Sequence, residues 1–166
     1  MKKSIIITGG AGFIGSNLVE YLLKFGAKKV RVFDNLATGR ASNLEEFESN
    51  PAFEFFEGDI RSLDDCRKAC AGIDYVSHQA ALGSVPRSIN KPLPTHAANA
   101  TGFLNMITAA KDAGVKNFVY ASSSSVYGDS VALPKIEEGT GNPLSPYAVS
   151  KKINELYGGV FNNVYN

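Results

Sequence analysis

Close to the N-terminus, Gly9, Gly12 and Gly15 stand three residues apart within Thr8-Gly9-Gly10-Ala11-Gly12-Phe13-Ile14-Gly15. Positions without side chains at this spacing suit a pyrophosphate. One glycine makes a tight strand-to-helix turn, one lets the backbone approach the phosphates, and one lets helix and strand pack closely. The helix that follows adds unpaired N–H groups and the positive end of its dipole. Asp34 stands about 20 residues beyond Gly15, where a carboxylate can accept hydrogen bonds from ribose hydroxyls. A carboxylate there also repels a 2′-phosphate, which favours NAD over NADP, although Arg40 a few residues on could meet a phosphate. Asp59, in Gly58-Asp59-Ile60, could reach an adenine amino group or cap the following helix.

A second group of residues could move protons. Tyr147 and Lys151 are four apart, so on a helix they share a face. A tyrosine has an ordinary pKa of about 10, so a base working near neutral pH needs roughly 4 kcal/mol of extra phenolate stabilisation. A neighbouring ammonium and a positively charged nicotinamide ring could supply it in a dry pocket. Upstream, Ser122-Ser123-Ser124-Ser125 offers hydroxyls that could bond a substrate hydroxyl, or could simply be a loop.

These residues need elements to hold them. The apolar runs Ser4–Thr8, Lys29–Phe33, Phe53–Glu57, Tyr75–Gln79 and Asn117–Ser122 read as strands, the first as a strand buried on both faces. Phe13–Lys24 reads as a helix, with Ile14, Leu18 and Leu22 on one face. Further helices are expected at about Asn43–Glu48, Ser62–Cys70, about Pro94–Ala113, and from Pro146 nearly to the end. Residues 123–145 read as long and irregular. Strands alternating with helices predict a doubly wound parallel α/β sheet. The four serines then lie just past the fifth strand, on the edge of the sheet where α/β ligands bind.

The composition narrows the partners. The 166 residues carry 17 basic and 16 acidic side chains, so no charge footprint for nucleic acid is present. A 44% hydrophobic content argues against disorder. No apolar run is long enough for a membrane span, and Ile5–Ile7 is too short for a secretory signal, so the expectation is a cytoplasmic protein without membrane contact. Cys66 and Cys70 have no nearby His and read as reduced helix residues rather than a metal site, so no metal is expected.

Taken in order, the glycine motif, Asp34, Gly58-Asp59-Ile60, a serine after the fifth strand and Tyr147-x-x-x-Lys151 resemble the extended short-chain dehydrogenases, the NAD-dependent epimerase/dehydratase family. The segments His78–Ser88, Thr101–Asn105 and Gly141–Ala148 are similar to bacterial UDP-N-acetylglucosamine 4-epimerases that supply surface polysaccharide synthesis. The resemblance implies a Rossmann domain. It places the NAD pyrophosphate over Gly9, Gly12 and Gly15, with Phe13 and Ile14 beside it. It places the ribose on Asp34 and Asn35, the adenine on Asp59 and Ile60, and the other half of the cofactor along Ala80, Ala81, Asn99, Tyr147 and Lys151. Gly83, Ser84 and Val85 would border the sugar. Ser123 falls at the family's catalytic Ser/Thr position, and Ser124 is a neighbour that shares the role.

The implied reaction is transient oxidation at C4 of a UDP-sugar, UDP-N-acetylglucosamine or UDP-glucose, followed by reduction from the other face. Tyr147 takes the 4-hydroxyl proton, Ser123 orients that hydroxyl, and Lys151 holds the nicotinamide ribose. Two other readings compete. A nucleotide-sugar 4,6-dehydratase carries Asp-Glu after its catalytic Thr, where this chain has Ser124 and Ser125. A non-catalytic NAD-binding fragment would not need an intact Ser, Tyr and Lys. Family members are about twice as long, so 1–166 reads as the NAD-binding part, inactive by itself, with the last strands and the substrate-binding part beyond Asn166. Complete members dimerise through a four-helix bundle, here expected to use the His96–Ala113 and Tyr147 helices, with Ala97, Ala98, Ala109 and Ala110 permitting close approach.

Overall fold

The computed structural model describes residues 3–165. The chain divides into two compact units, Met1–Ala80 with Asn105–Ala121, and Ala81–Leu104 with Ser122–Asn166.

The first unit holds a parallel sheet of five strands, β1 (Ser4–Thr8), β2 (Lys29–Asp34), β3 (Phe53–Glu57), β4 (Tyr75–His78) and β5 (Asn117–Tyr120), in the order β3-β2-β1-β4-β5. Its connecting helices include α1 (Phe13–Lys24) and α2 (Leu63–Cys70). Alternate residues of one strand feed opposite cores. Ile6 and Phe33 join α2 residues Cys66, Ala69 and Cys70, whereas Ile7, Val30 and Val32 join Val19 of α1. This is why β1 reads as a continuous apolar run: both of its faces are covered, whereas the edge strands β3 and β5 keep exposed residues. The strand order reverses between β1 and β4, and ligands of such sheets bind beyond the strand ends at that point. Thr8 and His78 close those two strands, with Thr8 Oγ1 and His78 Nδ1 2.9 Å apart.

The second unit is helical. It contains α3 (Val85–Asn90), α4 (Pro92–His96) and a π-type stretch (Ala97–Thr101), and the chain then enters α5 (Gly102–Asp112). After β5 come a short 3-10 turn, Ser124–Tyr127, and the long α6 (Pro146–Tyr165). Helices α3 and α4, the π-type stretch and the 3-10 turn all pack on α6.

Several expected bounds move. The helix expected at 43–48 is two 3-10 turns, Ala41–Asn43 and Glu45–Phe47, neither with a side-chain cap. Two strands end early, at His78 and Tyr120 rather than at Gln79 and Ser122. The helical run expected from Pro94 begins at Pro92, because proline is tolerated where first-turn N–H groups lack partners. Helix α3 was not expected at all. Its sequence, VPRSIN, has no apolar period, and it is held by its cap, where Ser84 Oγ accepts from the Arg87 N–H at 3.2 Å.

Candidate functional site

In the first unit the glycine loop is fixed by its own backbone and by its neighbours. Gly9 has φ +70°, a left-handed conformation that favours glycine, and a Cβ there would lie 2.7 Å from the Ala80 nitrogen. A Cβ on Gly15 would collide with the carbonyl oxygen of Gly9 and come within 2.6 Å of Gly10 Cα. Gly12 differs. Its backbone is ordinary, with φ −81°, and a Cβ would meet only Gly9 O, at 3.3 Å. Gly12 is also the N-cap of α1 and leaves the first-turn N–H groups without a side-chain acceptor. Space and free donors at this point fit a pyrophosphate, so the cradle suits a dinucleotide. Phe13 and Ile14 start the helix and are exposed.

Asp34 ends β2 and is nearly buried. Its Oδ2 accepts the Ala11 N–H at 3.0 Å and its Oδ1 accepts the Leu36 N–H at 2.8 Å. A carboxylate has about four acceptor positions, so both oxygens retain capacity for ribose hydroxyls. The Ala11 carbonyl, in the next peptide group, is held too: it accepts from the Arg40 N–H and from Asn43 Nδ2, at 3.0 and 2.8 Å. Arg40 therefore touches the glycine loop through its backbone.

Asp59 does not cap α2. Ser62 does, accepting the Asp65 N–H at 3.2 Å. Asp59 instead accepts from the Arg61 guanidinium and from Asn35 Nδ2, the latter at 3.0 Å. The hydrogen bond from Arg61 lowers its carboxyl to about pKa 2. The Ile60 side chain lies in the core, and its carbonyl accepts from Asn105 Nδ2 at 3.0 Å. Ala80 donates its N–H to Thr8 Oγ1 at 3.2 Å.

In the second unit, Tyr147 and Lys151 lie one turn apart on α6, whose first turn is capped by Ser145 Oγ accepting the Ala148 N–H at 3.1 Å. Tyr147 is half-buried and Lys151 is buried, and burial lowers the Lys151 ammonium from its ordinary pKa. Ser123 caps the turn Ser124–Tyr127 that packs on α6. Its Oγ accepts the Ser125 N–H at 3.2 Å and the Ser125 hydroxyl at 2.9 Å, which leaves the Ser123 proton to donate outward. Ser124 is exposed. Ala81 is half-buried, Gly83 exposed, and Ser84 and Val85 begin α3. The Asn99 side chain is 1% exposed and bonds to Leu82 and Ser150.

The structure thus brings Gly9, Gly12, Gly15, Asp34 and Ala80 into one cradle, pairs Asn35 with Asp59, and sets the Ser123 turn against the helix of Tyr147 and Lys151. Sequence reasoning missed Asn43, Ser88, Ser150 and Asn154. Each is a polar residue whose partner is distant in sequence or carries no motif. Among the described residues no group of three or more His, Cys, Asp or Glu could hold a metal, and no helix is long and apolar enough to cross a membrane.

A parallel sheet with a glycine cradle at its switch point and an acidic residue ending β2 defines a dinucleotide-binding protein. Residues 5–165 match the model of the NAD dependent epimerase/dehydratase family, and the chain belongs to that family, whose cofactor is NAD. It is 39% identical over 168 residues to a UDP-glucose 4-epimerase of Mycolicibacterium smegmatis, covering 97% of this chain and 52% of that protein. Among solved structures it is similar to a UDP-N-acetylglucosamine 4-epimerase of Methanobrevibacter ruminantium in complex with UDP-N-acetylmuramic acid. That match has TM-score 0.92 and 37% identity, over 99% of this chain and 52% of the other. It is also similar to a dTDP-glucose 4,6-dehydratase of Streptomyces venezuelae with NAD bound. There the TM-score is 0.90 and the identity 34%, over 98% and 52% of the two chains. The chain therefore spans about half the length of these relatives.

Proposed function

We propose that the protein to which this chain belongs is a UDP-sugar 4-epimerase, acting on UDP-N-acetylglucosamine or UDP-glucose. Fold similarity does not separate epimerase from dehydratase, since both are matched at comparable TM-scores. The observation that carries the choice is Ser124-Ser125 directly after Ser123, with Ser125 hydrogen-bonded back to Ser123. Removal of water across C5 and C6 needs an acid and a base, and two serine hydroxyls in place of a carboxylic acid and a carboxylate supply neither. The epimerases among the similar proteins favour the same choice.

NAD, when bound, supplies the hydride acceptor and donor at C4. Gly9, Gly12 and Gly15 hold its pyrophosphate and Asp34 its adenosine ribose. Tyr147 takes the proton of the sugar 4-hydroxyl and later returns it. Lys151, buried one turn along α6 from Tyr147, holds the nicotinamide ribose. Ser123 donates to the sugar 4-oxygen, a role supported by the two hydrogen bonds its own oxygen already accepts. The keto sugar turns between the two transfers, which inverts C4.

The test incubates the whole protein with NAD and each UDP-sugar and separates the products. The galacto epimer is expected; a 4-keto-6-deoxy sugar would make the protein a dehydratase. Tyr147→Phe is expected to lower kcat at least about a hundredfold while leaving NAD affinity nearly unchanged, since it removes a proton-transfer group. Retention of most of the turnover would remove Tyr147 from the mechanism.

A further inference from the structure

The second unit contains a buried polar cluster around Asn99 in which Ser88, Ser150 and Asn154 have no part in the chemistry above. Ser88, Asn99, Ser150 and Asn154 are each no more than 2% exposed. Ser88, in α3, donates its hydroxyl proton to the Val85 carbonyl at 2.7 Å and accepts the Tyr147 backbone N–H at 3.0 Å. The Tyr147 carbonyl accepts from Ser150 Oγ at 2.7 Å, and Ser150 Oγ accepts from Asn99 Nδ2 at 3.1 Å. Asn99 also grips Leu82: its Oδ1 accepts the Leu82 N–H at 2.7 Å and its Nδ2 donates to the Leu82 carbonyl at 3.3 Å. With its amide turned to satisfy both groups, Asn154 donates to the carbonyls of Asn99 and Ser150 at 3.0 Å.

The Tyr147 N–H belongs to the first turn of α6, where a helix supplies no internal acceptor. The helix's own cap, Ser145 Oγ, serves Ala148 instead. The partner of Tyr147 therefore comes from a different helix, 59 residues away. Its N–H is tied directly to Ser88, and its C=O leads through Ser150 and the Asn99 amide to Leu82, so both connect to residues 82–88, the segment that would border the sugar. We propose that Ser88 is a positioning residue for Tyr147: its hydroxyl locks the start of α6 to the sugar-bordering segment, so that phenol and substrate keep one register. This rests on the reading of Tyr147 as the proton acceptor. A reacting group displaced by about 1 Å loses on the order of a hundredfold in rate, so one hydrogen bond at this place matters out of proportion to its strength.

The test uses the whole protein. Ser88→Ala is expected to lower kcat about ten- to a hundredfold. KM for the UDP-sugar and NAD affinity should stay within about threefold, the pattern of an interaction that matters in the transition state. Ser88→Thr, which keeps the hydroxyl, should regain most of the turnover. If threonine proves too large for the filled site, Ser88→Cys keeps the volume, weakens the acceptor and should fall between serine and alanine. Unchanged kcat in Ser88→Ala would overturn the proposal. So would a loss of kcat that merely follows NAD affinity and folded fraction, which marks a structural role. Tyr147→Phe is measured alongside. If it stays active, the reading of Tyr147 fails and the proposal with it. If it is inactive while Ser88→Ala is fully active, only the proposal fails.

Discussion

Both oxygens of the Asp34 carboxylate accept backbone N–H groups, one of them from Ala11 in the glycine loop. The same side chain can thus select the cofactor and hold the loop that binds it. Asp34→Ala is expected to weaken NAD binding, to narrow the gap between NAD and NADP, and to cost about 1–3 kcal/mol of stability, because it leaves a buried donor without a partner. Calorimetry with both dinucleotides and a thermal melt read these effects. Tighter binding of NADP than of NAD by the parent protein would contradict the assignment. Cys66 and Cys70 are fully buried and free, and burial pushes their thiols up to about 12 and about 11. They are expected to ignore a thiol reagent at pH 8 in the native protein and to react on unfolding. A raised thiol pKa favours the folded state only while the unfolded thiol is also neutral. The thiols' contribution to stability should therefore be level below about pH 9 and fall as the pH rises toward 11, because the unfolded chain loses its thiol protons first. Cys70→Ala should flatten that alkaline limb.

Two glycines of the strand-to-helix turn separate folding from binding. Gly15→Ala places a Cβ against the Gly9 carbonyl and Gly10 Cα, both backbone, so the turn itself must shift. Gly12→Ala meets only one atom, at 3.3 Å. The expected outcome is a lower melting temperature for Gly15→Ala, and a near-parental melt with weakened NAD affinity for Gly12→Ala. Equal melts would remove the close-packing explanation of Gly15. The turn was legible in the sequence because Gly9 and Gly15 sit where a side chain would collide with neighbouring backbone. Strand β1 was legible because burial on both faces makes it continuously apolar. Helix α3 was not, since a six-residue helix fixed by a serine cap and a proline leaves no periodic trace. The same limit hid Ser88: a buried serine and a surface serine look alike until the helix it contacts, 59 residues on, is folded beside it. Asp59 was ambiguous for a related reason, as both it and Ser62 stand where a cap could be, and only the fold shows that Ser62 takes the role.

Within the second unit, His96, Ala100, Thr101 and Leu104 face Ile153, Leu156, Tyr157 and Val160 across an apolar groove of about 420 Å³. Along α6, Leu156, Val160 and Val164 remain 62%, 55% and 64% exposed. Two of the alanines expected to line a helix pair, Ala109 and Ala110, lie instead in the sheet core beside Ile6 and Met106, so close approach on this face must come from Ala100 and its neighbours. Covering an exposed Leu or Val stabilises by up to about 1.5–3 kcal/mol. A second copy would bury the stripe twice, which is comparable with the roughly 4–15 kcal/mol lost on association. A dimer that holds at micromolar concentration needs about 8 kcal/mol net, so the homodimer that the family resemblance implies is expected to use these side chains together with contacts beyond them. Light scattering of the whole protein should give twice the monomer mass, and Leu156→Glu combined with Val160→Glu should give the monomer. Placing two carboxylates in the groove penalises its burial, since an unpaired charge resists leaving water. A monomeric parent protein, or a double variant that still dimerises, would show that the exposed face of α6 serves some other contact.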